Sequence, residues 1–284
     1  MQVQDKEAIR QALATYIKGY PSQTAAAASL KDVSPATITQ VLRGNWELIS
    51  PAMWRTIGKQ AGWQQRSAEL VPTRVHGYIT HYLRTAQEHG ESLFVVGHEG
   101  LGKTATAQHY SRTTPNVYYM ECAQFWNKKY FLMELLRAMG RDGAGLNVFE
   151  LMDEVLRYIR QQDRPLIILD EVDKLRDEVL YFFITLYNKL HGICGVVWLS
   201  TDAIVKRLKR GMDTRRPGFA EIYSRLGRRP IELPRHGTAC LKKVIAACGI
   251  TDEAEVARIL STCEGDLRRI SREYLRSILT RQVA

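Results

Sequence analysis

The rhythm of apolar and polar positions changes twice along the chain. Up to Gly62, apolar residues recur at helical spacing between short breaks. Residues 5–18 predict a helix stopped by Gly19-Tyr20-Pro21, and Ser22 opens a second through Leu30. After a short turn, Lys31-Asp32-Val33, the pair Ser34-Pro35 puts a hydroxyl at an N-cap and proline at the first helical position, where the missing N–H has no intrahelical partner to lose. That helix runs over 36–43 and ends at Gly44, with Ile38, Val41 and Leu42 on one face. Ser50-Pro51 repeats the start signal for a fourth helix over 52–61.

Residues 63–73 are polar with one proline and read as a linker, and 74–89 predict a helix closed by Gly90. From there short apolar runs, 92–97, 116–120, 166–170, 195–200 and 230–233, alternate with helical patterns at 103–112, 125–139, 147–162 and 174–191. Short buried strands alternating with helices predict a parallel sheet covered on both faces. Beyond Pro234 the strands stop, and 238–248, 252–263 and 266–281 read as helices. The expected architecture is an all-α domain at 1–68, an α/β parallel-sheet core at 69–234 and a C-terminal helical lid at 235–284.

Composition narrows the function classes. Of 284 residues 45% are hydrophobic and 25% charged, a globular balance that excludes a disordered or collagen-like chain. No run approaches the roughly 20 apolar residues of a membrane helix. The start of the chain has no apolar stretch behind a basic one, so no secretory signal is read and a cytoplasmic location is expected. Five cysteines without a C-x-x-C pair read as reduced thiols rather than a zinc framework. The net charge of +10 is the footprint of a polyanion partner. Residues 206–229 alone hold nine Lys/Arg against two acids.

Gly97-His98-Glu99-Gly100-Leu101-Gly102-Lys103-Thr104 fits G-x-x-x-x-G-K-S/T between an apolar strand and a helix. Backbone N–H groups must converge on phosphate oxygens, so side chains are kept out, and the helix start adds partial positive charge. Lys103 is placed to reach the β- and γ-phosphates, and Thr104 to offer a hydroxyl to Mg²⁺. About sixty residues later a hydrophobic strand ends in Asp170-Glu171. Asp170 is expected to hold the Mg²⁺ hydration shell, and Glu171 to orient and polarise the attacking water. The next strand ends in Ser200-Thr201, either of which can hold that water in line, Ser200 being the first choice. Before the last strand Arg225, with Arg228 as the alternate, is placed to reach the γ-phosphate of a nucleotide in a neighbouring subunit. Gly265-Asp266-Leu267-Arg268 opens the final helix, and Arg268 can sense ADP against ATP by pairing with phosphate.

These five elements, in this order over residues 74–284, resemble the AAA+ ATPase family. Within it, a short chain with an N-terminal helix-turn-helix and a basic stretch is similar to the ATP-dependent regulators of DNA transposition, the phage B-protein, TnsC and IstB group. The resemblance implies an ATP- and Mg²⁺-dependent homo-oligomer, a helical filament or ring on double-stranded DNA, that activates a partner transposase and is dismantled by hydrolysis. It also implies DNA contacts from the loop after the second strand, here Lys128 and Lys129 beside Trp126 and Tyr130, where helix packing is the competing reading. The basic stretch adds Lys206, Arg207, Lys209 and Arg210.

The N-terminal helices resemble the helix-turn-helix units of phage repressor and Cro-like domains, whose second helix meets base edges in the major groove. Carried over by position, the outward residues are Ser34, Thr37 and Gln40, with Arg43 near a phosphate. A plain bundle for protein contacts is the other reading, and the turn lacks the usual glycine. For the whole chain the rival function is an ATP-driven replication initiator or helicase loader, which shares the ATP core and the basic surface.

Overall fold

The structure is a computed structural model, described here for residues 3–18, 20, 22–63 and 70–283. Gly19 and Pro21 of the first expected helix stop, and linker residues 64–69, lie outside the described residues. The chain divides into two units, 1–69 and 70–284.

The first unit holds α1 (Val3–Lys18), α2 (Gln23–Ser29), α3 (Pro35–Arg43) and α4 (Pro51–Gln60). Its core gathers Ile9, Leu13, Ile38, Val41, Trp54 and Ile57. Ser34 caps α3 by accepting from the Thr37 N–H at 3.1 Å, and Ser50 caps α4 from Met53 at 3.2 Å, so both Ser-Pro signals act as their chemistry dictates. The α2–α3 turn does without glycine because Asp32 takes the left-handed conformation, φ 60°, a region its short polar side chain tolerates.

In the second unit α5 (Arg74–His89) leads into β1 (Ser92–Val96), α6 (Lys103–Thr113), β2 (Val117–Glu121), α7 (Lys128–Ala138), α8 (Val148–Ile159) and β3 (Leu166–Asp170). A 3₁₀ turn, Val172–Lys174, precedes α9 (Asp177–Leu180), α10 (Phe182–Leu190) and β4 (Gly195–Ser200). Then come α11 (Asp202–Asp213), α12 (Phe219–Arg225), β5 (Ile231–Glu232) and the lid helices α13 (Thr238–Ala247), α14 (Glu253–Thr262) and α15 (Leu267–Val283). The strands form one parallel sheet in the order β2-β3-β4-β1-β5. β3 and β4 are buried along their whole length, which is why they read as continuous apolar runs. One face packs on α7, α8 and α10 through Leu132, Val155, Phe183 and Trp198, and the other on α5 and α6 through Ile79, Leu83 and Ala107. The lid has its own small core around Leu241, Ile245, Ile259 and Ile270.

One expectation changes. The helix expected over 174–191 is divided, with Arg176 extended at φ −70°, ψ 154°. The cause is a side chain from elsewhere: Arg207 Nη1 donates to the carbonyls of Asp173 (3.0 Å) and Leu175 (2.6 Å), acceptors that a continuous helix would have used. Most of the basic stretch folds into α11 and α12, which bury Ile204, Leu208, Phe219 and Ile222. Among the described residues no helix is long and apolar enough to cross a membrane.

Candidate functional site: a phosphate loop against two carboxylates

Parallel strands present their carboxyl ends at one edge, and open α/β sheets bind ligands there. β1 lies beside β4, which lies beside β3, so the phosphate loop, Ser200 and Asp170-Glu171 share that edge. Register makes this concrete: Val96 pairs with Ser200, Leu199 with Asp170, and the Gly97 N–H donates to the Ser200 carbonyl at 3.1 Å.

Gly100 and Gly102 have φ of 72° and 85°, which L side chains rarely adopt. At Gly100 space forbids a side chain as well, since a Cβ would stand 1.8 Å from Asp266 Oδ1. The loop is thus held against the start of α15, where the Leu267 N–H donates to the Gly100 carbonyl at 3.0 Å. Lys103, the first residue of α6, is 9% exposed and donates its ammonium to the carbonyls of Gly97 (2.6 Å) and His98 (2.8 Å). Burial lowers its pKa; Asp170 opposes that shift, and the positive charge of Arg268 adds to it. A buried ammonium facing carbonyl oxygens is ready to exchange them for phosphate oxygens.

Thr104 donates its hydroxyl to Asp170 Oδ2 at 2.7 Å. Asp170 is 1% exposed, and burial raises its pKa against the pull of Thr104, Tyr119 and the Glu171 N–H. Tyr119, on the neighbouring β2, donates to the same Oδ2 at 3.1 Å. Sequence reasoning missed it, because a tyrosine in an apolar strand carries no sign that its hydroxyl meets a carboxylate on the next strand. Glu171 takes φ 55°, turns the chain directly after β3, and pairs its carboxylate with Lys174. Ser200 is buried and donates to Asp173, another residue the sequence did not single out.

The remaining expected residues are dispersed. Arg268 is exposed at the start of α15, its N–H donating to Asp266 Oδ1 at 2.7 Å. Arg225 does not join the residues around Lys103: it donates to Asn188 Oδ1 (2.8 and 3.2 Å), pairs with Glu221 at 2.7 Å and lies over the Tyr187 ring. Arg228 is exposed. Lys128 and Lys129 are exposed in the first turn of α7, but Trp126 is buried in the core and Tyr130 packs against it; the exposed aromatic is Phe125. Lys209 and Arg210 are exposed, and Lys206 pairs with Asp202 at 2.6 Å. Arg207, expected on a DNA face, is half-buried. Its guanidinium is committed to Asp177 and to the two carbonyls that divide the expected helix, so it braces the fold from within. In the first unit Ser34 and Arg43 are exposed, Thr37 and Gln40 half-buried.

Fold and site together are those of a P-loop ATPase and resemble the AAA+ class. Residues 86–208 match the family model of the AAA domain. The chain is similar to the "ATP-dependent target DNA activator B" of Escherichia phage Mu and to that of Escherichia phage D108, 28% identical to each over 66% of this chain. The chain spans 65% of the length of these curated relatives. Among solved structures, NtrX from Brucella abortus in complex with ATP shares the fold, with a TM-score of 0.53 at 15% identity over 86% of this chain and 60% of that one.

Proposed function

We propose that this protein is an ATP-hydrolysing, DNA-binding regulator of transposition that assembles on double-stranded DNA and activates or directs a partner transposase. The observation that carries the reading is the likeness to the two phage target DNA activators, on a chain whose Lys103, Thr104 and Asp170 lie at one sheet edge. The domains are 1–68 as helix-turn-helix, 69–234 as ATPase core and 235–284 as lid.

In this reading the N–H groups of residues 97–104 surround the phosphates, and Lys103 moves from the Gly97 and His98 carbonyls to the β- and γ-phosphates. The Thr104 hydroxyl and the Asp170 carboxylate are hard oxygen donors already converging at 2.7 Å, a set that fits Mg²⁺. Bound there, Mg²⁺ would neutralise charge on the β- and γ-oxygens. Glu171 orients the attacking water, with Ser200 as its second partner. Arg225 acts on the nucleotide of a neighbouring subunit, held ready by Asn188 and Glu221. Arg268 reports the nucleotide state to the lid.

Assembly then depends on ATP, and DNA is held through its backbone by Lys128, Lys129, Lys206, Lys209 and Arg210. Ser34, Thr37, Gln40 and Arg43 form a further DNA-facing set on the first unit. Backbone contacts release counterions, so affinity falls steeply with salt. The test combines turnover with and without duplex DNA and electron microscopy of the same samples with a slowly hydrolysed ATP analogue. Cooperative coating of duplex supports the reading; isolated monomers at micromolar protein and low salt overturn it.

A further inference from the structure

A concave groove of about 550 Å³ lies beside the nucleotide edge, lined by Gln124, Phe125, Asp173, Lys174, Leu175, Arg176 and Arg207. Two of these residues also touch the groups that would handle water. Lys174 pairs with the Glu171 carboxylate, and Asp173 accepts from the Ser200 hydroxyl. The groove and the hydrolytic groups therefore share a wall one side chain thick. The Lys174 ammonium has two faces: Glu171 holds it charged on one, and the other is open, its side chain 46% exposed.

We propose that this groove takes a phosphodiester of duplex DNA, and that Lys174 is the positioning residue coupling it to hydrolysis. With the groove free, Lys174 occupies the Glu171 carboxylate. A phosphate in the groove draws the ammonium to itself and releases the carboxylate to act as base.

The lining fits that occupant. Lys174 and Arg176 are exposed cations, and among the described residues Arg176 enters no ion pair. Asp173 is the acid of the lining, and its carboxylate is engaged inward by Ser200. Arg207 is occupied with Asp177 and serves as a fixed wall. Phe125, 69% exposed, offers a flat apolar face beside the cations, against which a backbone sugar can pack. Lys128 and Lys129, both exposed, follow shortly after Phe125 in the chain. An exposed lysine–carboxylate pair contributes about 0.2–1 kcal/mol, weak enough for a phosphate at contact distance to outcompete.

The inference rests on the reading of Glu171 as base and duplex DNA as partner, and its test separates the two levels. Turnover of the full-length chain is measured with and without duplex for wild type, Lys174→Met, Lys174→Arg and Arg176→Gln. Lys174→Met raises DNA-free kcat about fivefold, equivalent to about 1 kcal/mol, with KM for ATP unchanged, and blunts stimulation by DNA. Lys174→Arg keeps the repression, which mere damage to packing would not. Arg176→Gln shifts half-maximal stimulation to higher DNA concentration. DNA-free turnover of Lys174→Met at or below wild type, with stimulation intact, overturns the clamp alone, provided wild type binds labelled duplex by anisotropy. Absence of duplex binding by wild type overturns the DNA reading and the clamp with it. Derepression by Lys174→Met without any response of wild type to DNA overturns duplex as the occupant and points to an acidic protein segment.

Discussion

Thr104 and Asp170, 66 positions apart, meet through a hydroxyl–carboxylate hydrogen bond of 2.7 Å. The bond joins the first turn of the helix after the phosphate loop to the end of a strand two places across the sheet. With Tyr119 on the same carboxylate oxygen, it fixes the orientation of a buried acid that would otherwise be undecided.

Lys103→Ala removes an ammonium that is held by two carbonyls and poised for phosphate. Each charge-assisted bond is worth about 1.5–3 kcal/mol, so nucleotide affinity is expected to fall at least about tenfold. Titration with a fluorescent ATP analogue reads this directly; affinity equal to wild type would contradict the assignment of the loop.

Glu171→Gln keeps the shape of the site and removes the proposed base. ATP binding is expected to be retained while single-turnover hydrolysis falls about 10²–10⁴-fold, the range for a positioned general base. On the proposed function, the retained nucleotide is expected to lock the assembly on DNA. Normal hydrolysis by this variant would assign the base elsewhere.

Gly100→Ala must fit a side chain at φ 72° and 1.8 Å from Asp266 Oδ1. Backbone strain of this kind amounts to about 1–3 kcal/mol. Thermal unfolding is expected at lower temperature, together with weaker ATP binding because the loop is pushed off the start of α15. An unshifted melting curve would show that the loop and Asp266 are not in contact.

Arg225→Ala is expected to bind ATP normally and hydrolyse it about 10³-fold or more slowly within the assembly, the loss seen when an arginine in trans is removed. Neither it nor Lys103→Ala turns over well alone. On the proposed role of Arg225 in trans, their mixture should regain turnover, because Arg225 of one copy would serve the nucleotide of the other. No recovery on mixing would show that Arg225 acts within its own subunit or not at all.

His236 is buried against the Leu101 carbonyl of the phosphate loop, with 3.3 Å between nitrogen and oxygen. Burial lowers its pKa below the ordinary 6.5, as it does for His76 beside Thr106. The unfolded chain therefore binds these protons more readily, and stability is full above pH 6.5 and falls as pH drops from there towards the lowered folded values. Denaturant titrations from pH 7.5 to about 5 read the slope, and His236→Asn should flatten it. An unchanged slope in that variant would move the effect to other groups.

Much of the local structure is legible in short stretches of the chain. Serine–proline pairs specify where α3 and α4 begin, because the cap hydroxyl and the proline ring act within one turn. Continuous apolar runs announce β3 and β4, since strands buried on both faces need no polar alternation. The glycine-lysine-threonine loop is legible because its chemistry is carried by eight adjacent residues. Only the tertiary structure decided the rest. That Tyr119 meets Asp170, that Ser200 meets Asp173 and that Arg207 divides the helix after β3 all depend on which strands and helices become neighbours. Local propensity and periodicity act over a few residues, whereas these bonds join side chains dozens of positions apart, and their partners are selected only when the sheet order brings them within about 3 Å of one another.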